Sequence, residues 1–339
     1  GSSSSIQKHM KIAILGDPHF RAEMPYASSI DDGRKGEWES VKKTILDTSK
    51  KCDAIVLMGD NLNSRNNPSI VLREFVEFLN GFDEKPVHIL IGNHERHGEN
   101  TALDFLDKVQ HPNWHIYSDI TESVEIGNGI YATFVPYMTP ALLGLGTKEE
   151  AEGHINGLAK ADIAFFHHAI TGTAGTEFFD EIMIDQSKLK FGFTFGGHVH
   201  KSERLADNVV VTGNLMTHEV GEHKKVAWVW DSEKNTAEEI ELPVRGIYKF
   251  IWEEQGIVAP STSIVKCYVT DKNTDLEEVK EFLKQFDASL IIEQYPSERQ
   301  KVHVQEGALD TSIESMLKLY AEAKSVDYND LLAGLEIIK

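Results

Sequence analysis

The amino-acid sequence predicts an α/β fold built around a mostly parallel sheet. Three apolar runs, "KIAIL" (11–15), "AIVLM" (54–58) and "VHILI" (87–91), have the continuous hydrophobicity that is typical of strands covered on both faces. Segments with helical spacing of their apolar residues lie between these runs. Because strands alternate with helices, we expect the strands to run parallel to one another.

Two helices are predicted between these strands. In "EWESVKKTILDTSKK" (37–51), Trp38, Val41, Ile45 and Leu46 fall near helical spacing. The segment "SIVLREFVEFLN" (69–80) follows a proline, and Ser69 is its predicted N-cap.

The chain from about residue 115 to residue 245 is richer in predicted strands. Candidates are "HIYSD", "YATFVPY", "DIAFF" and "GFTFGG", with a helix near 147–159. The runs "VVVTG" (209–213) and "KVAWVWD" (225–231) have the pattern of antiparallel strands. We therefore expect one large domain over residues 10–245. Residues 1–9, which are mostly polar, are interpreted as a cloning remnant that precedes Met10.

A second, smaller α+β domain is predicted over residues 246–339. The composition changes near residues 243–246, and a β-α-β-β pattern follows at 263–270, 275–286, 289–295 and 301–306. Two short helices, at about 310–324 and 328–338, complete the predicted domain.

Composition excludes some classes of protein. The net charge of −20 argues against a protein that coats nucleic acid without specificity, although a metal site could still supply local positive charge to a DNA enzyme. No apolar run approaches the ~20 residues that span a bilayer, so we expect no membrane association. Two cysteines, Cys52 and Cys267, form no disulfide framework, and a cytoplasmic location is expected.

Five predicted strands run directly into residues that carry chemistry. The segments that follow them are "GDPH" (16–19), "GDN" (59–61), "GNHE" (92–95), "HH" (167–168) and "GHVH" (197–200). In open α/β sheets the carboxyl ends of the strands form the edge where ligands bind. Residues that are distant in sequence are therefore expected to meet in one cluster.

The residue types in this cluster predict a site for two metal ions. Carboxylate, amide oxygen and imidazole together suit manganese, iron or zinc better than calcium, which prefers oxygen ligands alone. Seven such groups are too many for one tetrahedral ion, whereas two ions ~3.5–4 Å apart can clamp a phosphate and activate water. Taken singly, each motif could be a turn, a cap or a pair of core histidines. The five together, each after a strand, are very unlike a chance arrangement.

The same five motifs resemble those of the calcineurin-like metallophosphoesterase superfamily, across residues 17–200. The resemblance implies a β-sandwich flanked by helices, with two divalent metal ions, and makes residues 10–245 the catalytic domain. It assigns Asp17, His19, Asp60 and His200 to one metal. It assigns Asp60, Asn93, His167 and His198 to the other, so that Asp60 bridges the two ions.

Four further residues near these ligands receive interpretations from the same resemblance. His94 is the expected catalytic residue, which would stabilise the transition state or protonate the leaving oxygen. Glu95 is placed to orient His94, or is a simple exposed carboxylate. His168 occupies a variable position after the ligand His167. Asn63 stands where some nucleases have a histidine, which puts exonuclease strength in question.

Wider features resemble the nuclease subunits of SbcC–SbcD-type DNA repair complexes, including phage versions. They are "GDNLNSRNNPSIVLREFVEFL", with Arg65 and Pro68 before a helix, then "VHILIGNHERHGEN", "FVPYM" and the small C-terminal unit, which would be a DNA-capping domain. The resemblance implies a manganese-dependent exo- or endonuclease in DNA repair and recombination. The implied partners are DNA, a coiled-coil ATPase of the SbcC type and a second copy of the chain. Residues 310–338 are the candidate contact with the ATPase, or a simple closing helix pair.

Two other functions are compatible with parts of this pattern. One is a small-molecule phosphoesterase, such as a cyclic-nucleotide phosphodiesterase, with the C-terminal unit as a lid or an oligomerisation element. The other is a phosphoesterase fold that has lost activity and serves as a scaffold. The complete set of seven ligands argues against the scaffold.

Overall fold

The computed structural model describes residues 9–27, 33–176, 179–254, 259–271, 273–286 and 290–294. Its strands are β1 (Lys11–Leu15), β2 (Ala54–Leu57), β3 (Val87–Leu90), β4 (Arg96–His97), β5 (Asn100–Thr101), β6 (Trp114–Tyr117), β7 (Thr121–Gly127), β8 (Ile130–Val135), β9 (Ile163–Phe166), β10 (Ala169–Ile170), β11 (Met183–Ile184), β12 (Phe193–Gly196), β13 (Glu203–Ala206), β14 (Val209–Val211), β15 (Val226–Asp231), β16 (Thr236–Glu241), β17 (Ile247–Ile251), β18 (Ile264–Val269) and β19 (Leu290–Gln294). Its α-helices are α1 (Lys35–Ser49), α2 (Ser69–Asn80), α3 (Leu106–Val109), α4 (Lys148–Asn156) and α5 (Leu276–Leu283).

The first large sheet contains the predicted parallel core. Its six strands lie in the order β16-β15-β1-β2-β3-β6. Strands β1, β2, β3 and β6 pair parallel in that order, as the alternation of strands and helices predicts. Strand β15 pairs antiparallel with both β1 and β16, which confirms the interpretation of "KVAWVWD".

The second large sheet has the order β13-β14-β12-β9-β8-β7. Its four central strands pair parallel, and the outer strands β7 and β13 are antiparallel to their neighbours. The interpretation of "VVVTG" as antiparallel is therefore only half right, since β14 is parallel to β12 and antiparallel to β13. An apolar run carries no information about the direction of its partner strands.

The two sheets pack face to face, with helices on the outside. Ile14 of β1, Phe134 of β8, Phe165 of β9 and Trp228 of β15 belong to one buried cluster between the sheets. The alternate face of β1, at Ala13 and Leu15, packs with α1 and α2. Helix α4 buries its apolar residues against the outer face of the second sheet. This arrangement is the β-sandwich flanked by helices that was predicted.

Helix α2 begins one position earlier than the predicted cap at Ser69 implies. Ser69 is already helical, and Pro68, with extended backbone (φ −58°, ψ 148°), is the N-cap residue. The carbonyl of Pro68 accepts the backbone N–H groups of Val71 and Leu72 at 3.0 and 3.3 Å. A proline can end the preceding extended segment and begin the helix without a side-chain cap.

The described part of the C-terminal region is a small sheet with one helix. Strands β17, β18 and β19 pair parallel in that order, and α5 lies in the connection between β18 and β19. The predicted strand at 301–306 and the two helices beyond it lie outside the described residues. All described residues belong to one compact unit, Gly1–Tyr295, so a domain boundary at residue 245 stays a prediction.

The structure also bears on the predicted absence of membrane helices and on the two cysteines. Within the described ranges, no helix combines the length and the apolar character needed to cross a bilayer. Cys52 and Cys267 are both buried free thiols.

Candidate metal centre

The carboxyl ends of five strands, three from the first sheet and two from the second, meet at one place. The seven predicted ligands all lie there: Asp17, His19, Asp60, Asn93, His167, His198 and His200. Backbone hydrogen bonds join the loops that carry them. The N–H of His19 donates to the carbonyl of Asp60 at 2.8 Å, and the N–H of Gly197 donates to that of Phe166 at 2.8 Å.

Asp60 lies between two groups of histidines. Its Oδ1 atom is 3.4 Å from Nε2 of His167. Its Oδ2 atom is 3.9 Å from Nε2 of His19 and 3.8 Å from Nε2 of His94. Each carboxylate oxygen therefore faces a different group of nitrogen atoms, as a carboxylate shared by two ions would.

The first group consists of Asn93, His167 and His198. The side-chain oxygen of Asn93 lies 2.9 Å from Nδ1 of His198 and 3.2 Å from Nε2 of His167. In this orientation the oxygen faces only acceptors, whereas the rotated amide would donate to both rings and to Asp60. In either orientation the two ring nitrogens and Oδ1 of Asp60 converge on the Asn93 amide. Carboxylate, amide oxygen and imidazole are ligands that suit a divalent metal, so these residues fit one.

The ring protons of this group are held on the outer side. Nδ1 of His167 lies 2.7 Å from the carbonyl of Met58 and can only donate to it, which leaves the lone pair of Nε2 facing Asp60. Nε2 of His198 lies 2.7 Å from a carboxylate oxygen of Glu181, which leaves Nδ1 facing Asn93. Such outer partners fix the tautomer of metal-binding histidines.

The second group consists of His19 and His200, to which the family resemblance adds Asp17, whose Oδ1 lies 3.9 Å from Nδ1 of His167. The Nε2 atoms of the two rings are 3.0 Å apart. Oδ1 of Asp17 accepts the N–H of His198 at 3.3 Å, while its Oδ2 is buried and has no hydrogen-bond partner among the described residues. A buried carboxylate oxygen without a donor is costly unless a cation binds it.

The electrostatics favour bound cations at this place. Burial, and then the charge of Asp60, raise the pKa of Asp17 well above its usual value. Burial also raises the pKa of Asp60, but the nearby His167, His19 and His94 outweigh it and lower that pKa. Burial lowers the pKa of His19 strongly and that of His200 to about 4, so both rings are neutral at pH 7 and could bind a metal.

The backbone of the cluster is strained at three of its candidate ligands. His19, Asp60 and His198 have φ values of 48°, 45° and 73°, in the left-handed region that non-glycine residues rarely occupy. Such conformations persist where surrounding structure enforces them, most often at functional sites. Gly59, at φ 106°, leaves no room for a side chain because a Cβ atom there would collide with the ring of His167.

His94 lies beside the two groups and is more exposed than most of the cluster. Its side chain is 38% accessible, against 1% for His19 and 12% for His198. Its backbone N–H donates to Oδ1 of Asp60 at 2.9 Å, and its Nδ1 lies 2.7 Å from the carbonyl of Asn63. Nδ1 can only donate to that carbonyl, and Nε2 lies on the side of Asp60, 3.8 Å from its Oδ2.

The interpretation of Glu95 is wrong. Glu95 is fully buried, and its two oxygens accept the backbone N–H groups of Leu62 at 2.7 Å and Gly92 at 2.8 Å. It braces the two loops that carry Asp60 and Asn93, and no hydrogen bond joins it to His94. Burial, and then Asp60, raise the pKa of Glu95 to about 8.

His168 points away from the cluster. It is buried, and its Nε2 lies 3.1 Å from the backbone nitrogen of Met138 and 3.2 Å from the carbonyl of Pro136. The choice of His167 rather than His168 as the residue facing Asp60 agrees with this geometry.

Two residues near the site were not identified from the sequence. Glu181 contacts His198 as described above, and His218 brings a ring nitrogen within 4.8 Å of those of His19 and His200. Neither belongs to a strand-end motif. The only signal for His218 is a histidine in the loop after an apolar strand, at Val209–Val211.

Comparison with known proteins identifies the family of the chain. The sequence model of the family described as "Calcineurin-like phosphoesterase" matches residues 10–202, more than half of the chain. The chain belongs to this family. The match covers all seven candidate ligands of the phosphoesterase.

One curated relative of the phosphoesterase is a protein of Invertebrate iridescent virus 3 with the name "Putative phosphoesterase 078R". The two are 23% identical over 307 residues, which covers 82% of this chain and 77% of the viral protein.

Two solved structures are similar over 69% of this chain. The protein TT1561 of Thermus thermophilus matches over 99% of its own length, with 14% identity and a TM-score of 0.40. A conserved uncharacterized protein of Streptococcus pneumoniae TIGR4, titled a predicted phosphoesterase, matches over 98%, with 10% identity and a TM-score of 0.29.

The residues of this phosphoesterase fit a pair of divalent ions. Asn93, His167 and His198 would hold one ion and His19 and His200 the other, and both groups would share Asp60. The family resemblance adds Asp17 to the second ion. Bound there, two such ions would polarise a phosphoryl oxygen and lower the pKa of water. His94 would contact the reacting group from the open side.

Proposed function

We propose that the chain is a metal-dependent DNA nuclease, an exo- or endonuclease that hydrolyses phosphodiester bonds as a subunit of a DNA repair or recombination complex. The observation that carries hydrolysis is the two-sided arrangement around Asp60. One carboxylate oxygen faces His167 and the other faces His19, so two ions could share it.

A cleft beside the metal centre supports a substrate larger than one phosphate. It has a volume of ≈ 820 Å³, and Asn93 and Tyr137 form part of its wall. Arg65 and Arg96 also line it, and guanidinium groups suit phosphate recognition. Arg65 lies in the segment that resembles the nuclease subunits, which favours DNA as the occupant.

Manganese is the metal that the resemblance implies, and the carboxylate, amide and imidazole ligands suit it. The proposed partners are a coiled-coil ATPase of the SbcC type and a second copy of this chain. The two free cysteines agree with a reducing cytoplasm as the place of action.

The test is to incubate the manganese-loaded protein with labelled single- and double-stranded DNA, a cyclic nucleotide and a chromogenic phosphodiester. We expect DNA cleavage that is abolished by EDTA and in Asp60→Ala. The exposed control His154→Leu, on helix α4, should behave as the wild type. If the small esters were hydrolysed while the DNA stayed intact, the nuclease proposal would be contradicted, but the proposed metal centre would not.

A second candidate is a small-molecule phosphodiesterase, such as one that acts on cyclic nucleotides. Glu99 and Asp119 also line the cleft, and the chain carries a net charge of −20. These carboxylates would repel a long polyanion more than a single nucleotide. The same substrate panel separates the two candidates.

A further inference from the structure

His218 lies next to the His19 and His200 side of the metal centre. The residue is 8% exposed, and its ring makes edge contacts with those of His19 and His200, at centroid distances of 5.4 and 5.9 Å. Its position allows two roles. It could be one more imidazole ligand of the ion, or it could donate a hydrogen bond to a group that the ion binds.

The partners of Asn214 decide between these roles. The ammonium group of Lys225, which can only donate, contacts the side-chain oxygen of Asn214. The amide NH2 group of Asn214 must then face the other way, where it lies 3.2 Å from Nδ1 of His218. Rotating the amide would place its NH2 group against the ammonium group, so this orientation is fixed.

Lys225 itself is firmly held. Its side chain is 3% exposed, and its ammonium group donates to Glu222 at 2.6 Å and to the carbonyl of His200 at 3.1 Å. Glu222 also accepts the backbone N–H of His218. The loop, the amide and the ring are therefore held together as one unit.

The proton of the neutral His218 ring follows from these contacts. Because Nδ1 accepts from Asn214, the proton lies on Nε2. That Nε2 atom is buried and has no hydrogen-bond partner among the described residues. A buried N–H group without a partner is unfavourable in a native structure and indicates that an acceptor binds there.

We propose that His218 is not a metal ligand but a substrate-binding residue, whose Nε2–H donates to an oxygen of the phosphoryl group held beside His19 and His200. Lys225 and Asn214 are positioning residues that hold its tautomer. The proposal rests on the two-metal phosphoesterase function, but not on DNA as the substrate.

The first test reads the tautomer directly. Long-range nitrogen–proton NMR spectra of the histidine-labelled, metal-free protein should show His218 protonated at Nε2, with its signals assigned by their absence in His218→Gln. In Asn214→Asp, a carboxylate oxygen would face Nδ1, and the proton should move to Nδ1. A wild-type ring protonated at Nδ1 would overturn the proposal.

The second test measures binding of inorganic phosphate to the manganese-loaded protein by calorimetry, with metal content determined in parallel. His218→Leu should bind phosphate about 10- to 100-fold more weakly, as expected for a lost hydrogen bond to a charged group, with unchanged metal content. His218→Gln, whose amide can still donate, should recover most of the affinity. Asn214→Asp should resemble His218→Leu, and His154→Leu should resemble the wild type.

Three results of this second test would also overturn the proposal. They are loss of metal in both His218 variants, unchanged phosphate affinity in His218→Leu, and a wild-type protein that binds metal but no phosphate. A protein that meets the phosphate and metal expectations yet leaves DNA intact would contradict the nuclease proposal alone.

Discussion

The contact between Glu181 and His198 makes a quantitative prediction about one of the two metal positions. Nε2 of His198 lies 2.7 Å from Glu181, and the two side chains are 12% and 27% exposed. Replacing Glu181 by leucine removes the group that holds the ring proton on Nε2. Nδ1, which faces Asn93, would then be available as a lone pair for only part of the time.

Outer partners of metal-binding histidines are worth about 10- to 100-fold in metal affinity. That range corresponds to about 1.4–2.7 kcal/mol at 25 °C. The short, partly buried contact places the loss of metal affinity in Glu181→Leu within this range. Glu181→Gln, whose amide oxygen can still accept a hydrogen bond from the ring N–H, should lose less metal affinity.

The assay is a calorimetric manganese titration of the metal-free protein. In Glu181→Leu one site should weaken and the site at His19 and His200 should keep its affinity. Glu149→Gln, at an exposed carboxylate of α4, is the matched control. Equal weakening of both sites, or no weakening of either, would refute the reasoning.

Three more predictions concern single residues. His94→Gln should keep both metals, as measured by mass spectrometry. Its turnover should fall about 10²- to 10⁴-fold, the usual contribution of a residue that transfers a proton. Loss of metal in this variant would contradict the position of His94 beside the ions. Glu95→Ala should lower the free energy of unfolding by about 2–6 kcal/mol in urea, because two buried N–H groups lose their acceptor at about 1–3 kcal/mol each; an unchanged value would count against its bracing role. Burial, and then the charge of His115, lower the pKa of His88 to about 3, whereas the pKa of an unfolded histidine is about 6.5. Below pH 6.5 the folded state therefore binds fewer protons than the unfolded state, and the free energy of unfolding decreases as the pH decreases. At pH 5 the free energy of unfolding lost through His88 is about 2 kcal/mol. His88→Phe should therefore reduce the dependence of the unfolding free energy on pH between 7 and 5; an unaltered slope would contradict this role of His88.

The sequence predicts which residues meet but not how their side chains are held. The ligands could be found because each follows a continuous apolar strand, and parallel strands deliver their carboxyl ends to one edge. "GGHVH" is an example: His198 faces Asn93, and His200 faces His19. The left-handed backbone of His198 breaks the regular alternation that would otherwise set the directions of these two side chains.

The outer contacts could not be predicted because they depend on tertiary packing. Glu181 lies 17 positions before His198, in a loop with no periodic pattern. Glu95 adjoins His94 in sequence, yet its side chain turns inward to the N–H groups of Gly92 and Leu62. Neighbouring positions in an irregular loop give no information about which side chain enters the core.

The central claim is that Asp60 is shared by two metal ions. The most direct measurement is the number of metal ions per chain in the wild type and in Asp60→Ala, by mass spectrometry after equilibration with manganese, alongside hydrolysis of a chromogenic phosphodiester. We expect two ions and hydrolysis in the wild type, and loss of both metal positions and of activity in the variant. An Asp60→Ala protein that keeps two ions and full activity would contradict the claim.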